Sequence, residues 1–300
     1  MNELNTLERR AMAKISTPGG GMLIVAADQR NGMKAVMKDA PNGAAGISKD
    51  ELADAKSDLL KFLGNKAPAI LLDPATALPR IVDDGTLARD TALVLAMDES
   101  GFAVENGLKR TRYVEGISPR VLRDLGADAA KMLWYLRPDR RDEEQVVLDD
   151  ISRLVAECEA EGLLLIVEIL TYQLEDETDE EYAAAFPGLI EGIAELCVAA
   201  GSKVLKLQYP GSAEACAAVT AAANGVPWAV LSAGVDHETF VGQVRTAVVN
   251  GSAGAMAGRS LWKDSLSIES SIREEKLTTK ALPRLNELAA IIDEVLANKE

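Results

Sequence analysis

Three charged residues stand where charge is costly. Lys131, Glu168 and Lys206 each lie inside a short apolar run: AAKMLWYL at Ala129–Leu136, LLLIVEIL at Leu163–Leu170 and VLKLQYP at Val204–Pro210. A charge in such a run is expensive unless it is paired or used. A lysine is nucleophilic only as the neutral amine, and burial and a second nearby cation both favour that form. Lys206, between Leu205 and Leu207, has the apolar setting, Lys131 is the neighbouring cation, and Glu168 is the proton-transfer group. Two chemistries use this set. One is imine formation with a ketone, in which the protonated imine is an electron sink that lets a neighbouring C–C bond break. The other is proton transfer by Glu168 and Lys206 with no covalent step, as in an isomerase or epimerase.

A second group of residues points to phosphate. Ser232–Ala233–Gly234 and Gly258–Arg259–Ser260 end the last two apolar runs. Glycine-containing loops at such ends bind phosphate through backbone N–H groups that approach closely. A second anion site is suggested by Lys109, Arg110 and Arg112 after the third run, and by Arg137, Arg140 and Arg141 after the fourth. The phosphate loops without the lysine would suit a non-catalytic sugar-phosphate sensor. Asp28, Asp73 and Asp98 close the first three runs. An Asp there can serve the site or simply cap the following helix.

These residues need a scaffold that brings eight run ends to one place. The runs are MLIVAAD, PAILLDP, ALVLAMD, AAKMLWYL, LLLIVEIL, VLKLQYP, PWAVLSAG and GAMAGRSLW, beginning at Met22, Pro68, Ala92, Ala129, Leu163, Val204, Pro227 and Gly254. Each is strand length and nearly all apolar, as in strands buried on both faces of a parallel sheet. Amphipathic stretches of helix length alternate with them at 49–63, 144–161, 180–200, 213–223, 239–250 and 279–297. Gly162, Gly201 and Gly251 follow three of these as stop signals. Eight βα units in 300 residues predict an α/β fold, a single-domain (β/α)8 TIM barrel. A short N-terminal helix over about 1–16 and a C-terminal helix over about 279–297 complete it. No Gly-rich dinucleotide fingerprint follows the first run, which argues against an open doubly wound sheet. The C-terminal mouth of a barrel is where the polar ends of the runs would meet.

Composition narrows the function further. With 32 Lys and Arg against 47 Asp and Glu, the formal net charge is −15. A nucleic-acid partner is not expected. A single histidine, His237, is too few for a usual zinc centre, so no metal and no cofactor are expected. Cys158, Cys197 and Cys216 lack CxxC spacing and read as buried apolar residues in a cytoplasmic protein. No run approaches the ~18 apolar residues of a membrane span, and the N-terminus lacks a signal-peptide core.

Six blocks in order make the reading more specific. They are AADQR at Ala26–Arg30, GADAAKMLWY at Gly126–Tyr135, VEILTY at Val167–Tyr172, KVLKLQYP at Lys203–Pro210, PWAVLSAGVD at Pro227–Asp236 and AGRSLW at Ala257–Trp262. Together they resemble the class I aldolases of the tagatose 1,6-bisphosphate aldolase family, which includes sulfofructosephosphate aldolase. The resemblance implies a TIM barrel that cleaves a phosphorylated ketose into dihydroxyacetone phosphate and a three-carbon aldehyde. It implies a Schiff-base lysine at Lys206, an acid at Glu168 and a supporting lysine at Lys131. Asp28, Gln29, Arg30 and Asp98 would face the sugar, with Gln208 beside the imine. Ser232, Gly234, Gly258 and Arg259 would hold the 1-phosphate, and Arg137 a distal anion. The family carries an acid two positions after the reactive lysine, where this chain has Gln208. VEILTY is similar to the tagatose-type members, whereas Arg137 and PWAVLSAGVD are similar to the sulfosugar type. The partner is a small-molecule sugar phosphate, and a homo-oligomer is expected.

Overall fold

The computed structural model describes residues 3–298. Eight parallel strands close into a barrel: β1 (Met22–Ala26), β2 (Ala69–Leu72), β3 (Ala92–Ala96), β6 (Ala129–Tyr135), β7 (Leu164–Leu170), β8 (Val204–Leu207), β9 (Trp228–Leu231) and β10 (Gly254–Ala257). These are the eight apolar runs, each trimmed where its polar end leaves the sheet. β10 stops at Ala257, and Arg259–Trp262 forms a helical turn where the run continued. Two further strands, β4 (Asp98–Glu105) and β5 (Leu108–Tyr113), form an antiparallel hairpin beyond β3. The sequence reading places Lys109, Arg110 and Arg112 in a loop. They lie instead on β5, whose mostly polar, half-exposed residues mark a ribbon rather than a buried run.

The period-two alternation of strands sorts the core into two layers. Met22, Ile24, Ala26, Leu71, Val94, Ala96, Ala129, Ile166, Val204 and Met256 fill the barrel interior. Their sequence neighbours, such as Leu23, Val25, Leu95, Met132, Val167, Leu205 and Val230, pack outward in the larger core shared with the helices. The helices are Lys49–Phe62, Ala77–Asp83, Pro119–Asp124, Arg141–Ala160, Asp179–Ala199, Ala213–Ala222, His237–Val249 and, after β10, Ser270–Lys276 and Leu282–Ala297. A π-helical turn, Leu277–Ala281, joins the last two. The C-terminal helix expected over about 279–297 therefore begins later, and the helical region before it was not foreseen.

The bottom of the barrel is closed by the helix Thr6–Lys14, whose Asn5 cap and Glu8 form a reciprocal capping box. Ala11 and Ile15 join the interior cluster. Glu8 pairs with Lys203 at 2.8 Å and Lys14 with Asp128 at 2.5 Å, just before β8 and β6. The helix is shorter than the expected span, whose first two residues lie outside those described. One helix among the described residues, Asp179–Ala199, is apolar and long enough to cross a membrane by composition. It is a barrel crossover here, with Ile190, Ile193, Ala194 and Cys197 buried in the outer core.

Candidate active site

The same alternation that fills the interior with apolar side chains carries charge to its upper rim. Asp98 follows Val94 and Ala96, Lys131 follows Ala129, Glu168 follows Ile166, and Lys206 follows Val204, each two residues further along an inward-facing row. Glu168 on β7 is in register with Lys206 on β8. Glu168 Oε2 lies 2.9 Å from Lys206 Nζ and 2.7 Å from Lys131 Nζ, so one oxygen joins the two ammonium positions. Lys131 Nζ also reaches Asp98 Oδ1 at 2.8 Å and Asp28 Oδ2 at 3.0 Å. All five are buried.

Electrostatics follow from that arrangement. Burial opposes the charge on Lys131, but Asp28, Asp98 and Glu168 together outweigh it and hold the ammonium well above its ordinary pKa. Burial would also raise the Asp28 carboxyl, yet Lys131 and then Lys206 override it and keep Asp28 below the usual carboxylate range. Asp98 goes the other way: burial, with Asp28 and Glu168 adding to it, pushes its carboxyl up despite Lys131. A fixed positive charge therefore stands beside Lys206.

These groups open into a cavity of about 640 Å³ at the C-terminal mouth. It is lined by Asp28, Gln29, Arg30, Asp98, Lys131, Glu168, Lys206, Gln208, Ser232, Gly234, Gly258 and Arg259. Asp28 Oδ1 and Gln29 Oε1 are buried acceptors without a hydrogen-bond partner. Gln208 Oε1 accepts from Thr171 N–H at 2.9 Å, tying the end of β8 to the loop after β7. Arg30 donates to the Asp98 carbonyl at 2.8 Å and to Ser100 Oγ at 3.2 Å.

The loops after β9 and β10 form one wall. Ala233 and Gly234 both have positive φ, at 47° and 84°, so two successive residues take the left-handed turn conformation. Such turns make concave anion sites. A Cβ on Gly234 would stand 3.1 Å from the Arg259 guanidinium carbon, and one on Gly258 would stand 3.3 Å from the Ala26 carbonyl oxygen. Both glycines thus permit close approach. Ser232 Oγ accepts from Gly258 N–H at 3.3 Å, and Lys263 Nζ donates to the Gly234 carbonyl at 2.7 Å, holding the two loops together.

Arg137 is not brought to this cavity. Its guanidinium is fully buried and satisfied by Glu177 at 2.5 Å, Asp139 at 2.8 Å and the Tyr172 carbonyl at 2.8 Å. Its charge is spent on joining the loops after β6 and β7. Lys109, Arg110, Arg112, Arg140 and Arg141 do not line this cavity either. Arg110 pairs with the buried Glu144 at 2.7 Å, and Arg112 with Glu99 at 3.3 Å. Lys109 Nζ sits 4.5 Å from the Phe102 ring centre and 4.7 Å from that of Tyr172. Arg140 borders a smaller cavity beside Glu143, Glu175 and Asp176, an acidic setting. Asp73 is also turned away, towards Lys56, and accepts from Thr76 N–H at 2.9 Å, which closes the turn leading into the helix Ala77–Asp83.

Sequence reasoning missed Asn31, Ser100, Gly101, Leu133, Leu170 and Leu231, which also line the cavity. Leu133 and Leu170 were reachable, since each lies two residues beyond an inward charge. Ser100 and Gly101 were not, because the hairpin that carries them has no apolar periodicity.

A parallel barrel with a buried Lys–Glu–Lys centre at its C-terminal mouth defines an enzyme site fitted for carbonyl chemistry. The model of the DeoC/LacD family of aldolases matches residues 22–264. The chain belongs to that family and is an aldolase, an aldehyde-lyase. It is 31% identical to tagatose 1,6-diphosphate aldolase 2 of Enterococcus faecalis, across 89% of this chain and 86% of that one. It is 27% identical to tagatose 1,6-diphosphate aldolase of Lactococcus lactis, across 96% of each. A Schiff-base-forming fructose-1,6-bisphosphate aldolase has the same fold, with a TM-score of 0.66 at 18% identity over 96% of this chain and 100% of that one. Fructose-bisphosphate aldolase from Plasmodium falciparum superposes with a TM-score of 0.68 at 14% identity over 98% of both.

Proposed function

We propose that this aldolase cleaves a ketose 1,6-bisphosphate of the tagatose type between C3 and C4, giving dihydroxyacetone phosphate and a three-carbon aldehyde phosphate. The observation that carries the reading is Glu168 Oε2 set between Lys206 and Lys131. The neutral Lys206 amine adds to the C2 carbonyl, and Glu168 protonates the departing hydroxyl so that the carbinolamine loses water as an iminium. Glu168, now the carboxylate, takes the C4 hydroxyl proton, which it can return to C3 of the enamine. The C3–C4 bond electrons pass into the iminium, and the aldehyde leaves. The resulting enamine is protonated at C3 and hydrolysed, which returns the amine. Glu168 is the shuttle within reach of the Lys206 nitrogen. Lys131, held protonated, supplies the neighbouring positive charge and a donor for a sugar oxygen.

The unpartnered acceptors of Asp28 and Gln29 suit two sugar hydroxyls. The turned loops at Ser232, Gly234, Gly258 and Arg259 suit the 1-phosphate. Arg30 suits the distal anion. It lines the cavity and donates to neutral oxygens, whereas Arg137 is neutralised elsewhere. A cytoplasmic enzyme assembled from more than one copy fits this reading, with its three buried free thiols.

The test is covalent. Sodium borohydride added with dihydroxyacetone phosphate is expected to leave a reduced adduct on Lys206, located by peptide mass, and Lys206→Ala is expected to abolish both adduct and cleavage. Substrate-dependent protection of the peptide without any adduct would favour an isomerase or a sensor. Faster turnover of a ketose 1-phosphate bearing a 6-sulfonate than of the 1,6-bisphosphate would make the substrate sulfofructose 1-phosphate.

A further inference from the structure

Behind the cavity lies a charged pair that the chemistry does not use. Lys56, on the helix Lys49–Phe62, and Asp73, just past β2, are both completely buried and paired with each other. Lys56 Nζ also donates to the Ala27 carbonyl at 2.8 Å. Ala27 N–H donates to the Leu71 carbonyl at 2.8 Å. The residue immediately before Asp28 and Gln29 is therefore held from both sides, by β2 through its amide and by a buried ammonium through its carbonyl.

A buried ion pair is a poor stabiliser. Apolar residues of similar volume often replace one with no loss of stability, because the desolvation of two charges offsets their attraction. The pair lies outside the β1–β2 ladder itself, which runs through Ile24–Ala69, Val25–Ile70 and Ala26–Leu71. What it adds is a fixed carbonyl at the point where β1 leaves the sheet and turns Asp28 towards Lys131. Lys56 also contributes positive charge that helps hold Asp28 ionised.

We infer that Lys56 and Asp73 are positioning residues, which fix the backbone at Ala27 so that Asp28 and Gln29 meet the sugar hydroxyls. This rests on the proposed hydroxyl-binding role of Asp28. A misplacement of about 1 Å at such a group can cost roughly 100-fold in rate. The effect belongs to C–C cleavage, which needs the hydroxyls oriented, and not to imine formation with dihydroxyacetone phosphate, which needs Lys206 and Glu168.

The experiment compares K56M/D73N, whose side-chain amide oxygen at position 73 can still accept from Thr76 N–H, with Asp28→Ala and the parent. Turnover of the ketose bisphosphate, borohydride trapping with dihydroxyacetone phosphate, and thermal melting are measured on each. K56M/D73N is expected to melt within about 5 °C of the parent, to trap the imine at the parental rate, and to lose ~10–100-fold in kcat. Parental turnover in K56M/D73N with a slow Asp28→Ala overturns the positioning role alone. Parental turnover in Asp28→Ala overturns the hydroxyl-binding role and this inference with it. Trapping and turnover that fall together, with a lowered melting point, overturn it in favour of a purely structural pair. If the double variant does not fold, K56Q/D73N is read by the same assays. It leaves no buried charge unpaired, and its shorter side chain releases the Ala27 carbonyl, so a several-fold loss of kcat with parental trapping is expected, and parental kcat overturns the inference.

Discussion

Lys131 places one ammonium among three carboxylates, those of Asp28, Asp98 and Glu168. That arrangement separates the two lysines in the proposed chemistry: Lys131 is held charged by its three carboxylates, and Lys206 beside it is the proposed nucleophile. Removing the charge should be visible in the pH profile. In Lys131→Met, Asp28 and Asp98 lose the ammonium that lowers both of them, so their pKa values rise. Asp28, now held below the ordinary range, should move up most, because Lys131 is the main group holding it down. The acid limb of kcat/KM is therefore expected to shift to higher pH, and an unmoved limb would show that Asp28 does not need to be ionised. Glu168→Gln keeps shape but cannot shuttle a proton. It is expected to lower kcat by ~10²–10⁴, the range for general acid–base groups. A raised KM with kcat intact would assign Glu168 to binding instead.

At the scale of elements, loops that look basic in sequence are joints. The loop after β6 is fastened to the loop after β7 through Arg137, and the β4–β5 hairpin is fastened to the helix Arg141–Ala160 through Arg110 and Glu144. Arg137→Ala would leave Glu177 without its partner and the Tyr172 carbonyl without its donor, and because Glu177 is only partly buried the cost is about 1–3 kcal/mol. Melting should fall, while the ratio of KM for a ketose 1-phosphate to KM for its 1,6-bisphosphate should stay at the parental value. Arg30→Ala is expected to do the reverse. It should leave melting near the parent and lower that ratio by ~10-fold or more, as loss of a charge-assisted contact worth about 1.5–3 kcal/mol requires. A changed ratio in Arg137→Ala would return the distal anion to the loop after β6.

At the scale of the whole molecule, the barrel must close, and it closes between β1 and β10. Gly254 pairs with Met22 there. Its φ of 146° and the backbone beside it leave no room: a Cβ would stand 2.0 Å from the Met22 carbonyl oxygen. Nothing flexible can yield, since the obstacle is backbone. Gly254→Ala is therefore expected to cost more than about 4 kcal/mol, among the severe single substitutions, and to be recovered mainly as insoluble protein. A soluble variant with parental melting would show that the seam can shift. Gly20, at a positive φ of 87° but with open space around it, is the control for conformation without a clash.

Much of this protein is determined locally and was therefore legible in its residues. Buried parallel strands must be apolar on both faces, so all eight barrel strands announced themselves as runs, and their order implied the barrel. Charge inside such a run has few uses, which is why Lys131, Glu168 and Lys206 could be singled out before their contacts were known. The glycine-containing ends of the last two runs were legible for the same reason. What the tertiary structure alone decided is which charges meet. Arg137 and Arg259 look alike in sequence, each just past an apolar run. One is neutralised by Glu177, 40 residues away, and the other reaches the cavity. Lys56 sits within an ordinary amphipathic helix, and only the fold sets its ammonium against the carbonyl of Ala27. The hairpin was hidden because a half-exposed ribbon carries polar residues that do not keep a clean period. Strand identity follows from burial of a residue's own neighbours in the chain, whereas the pairing of charges follows from neighbours in space, which no local pattern records.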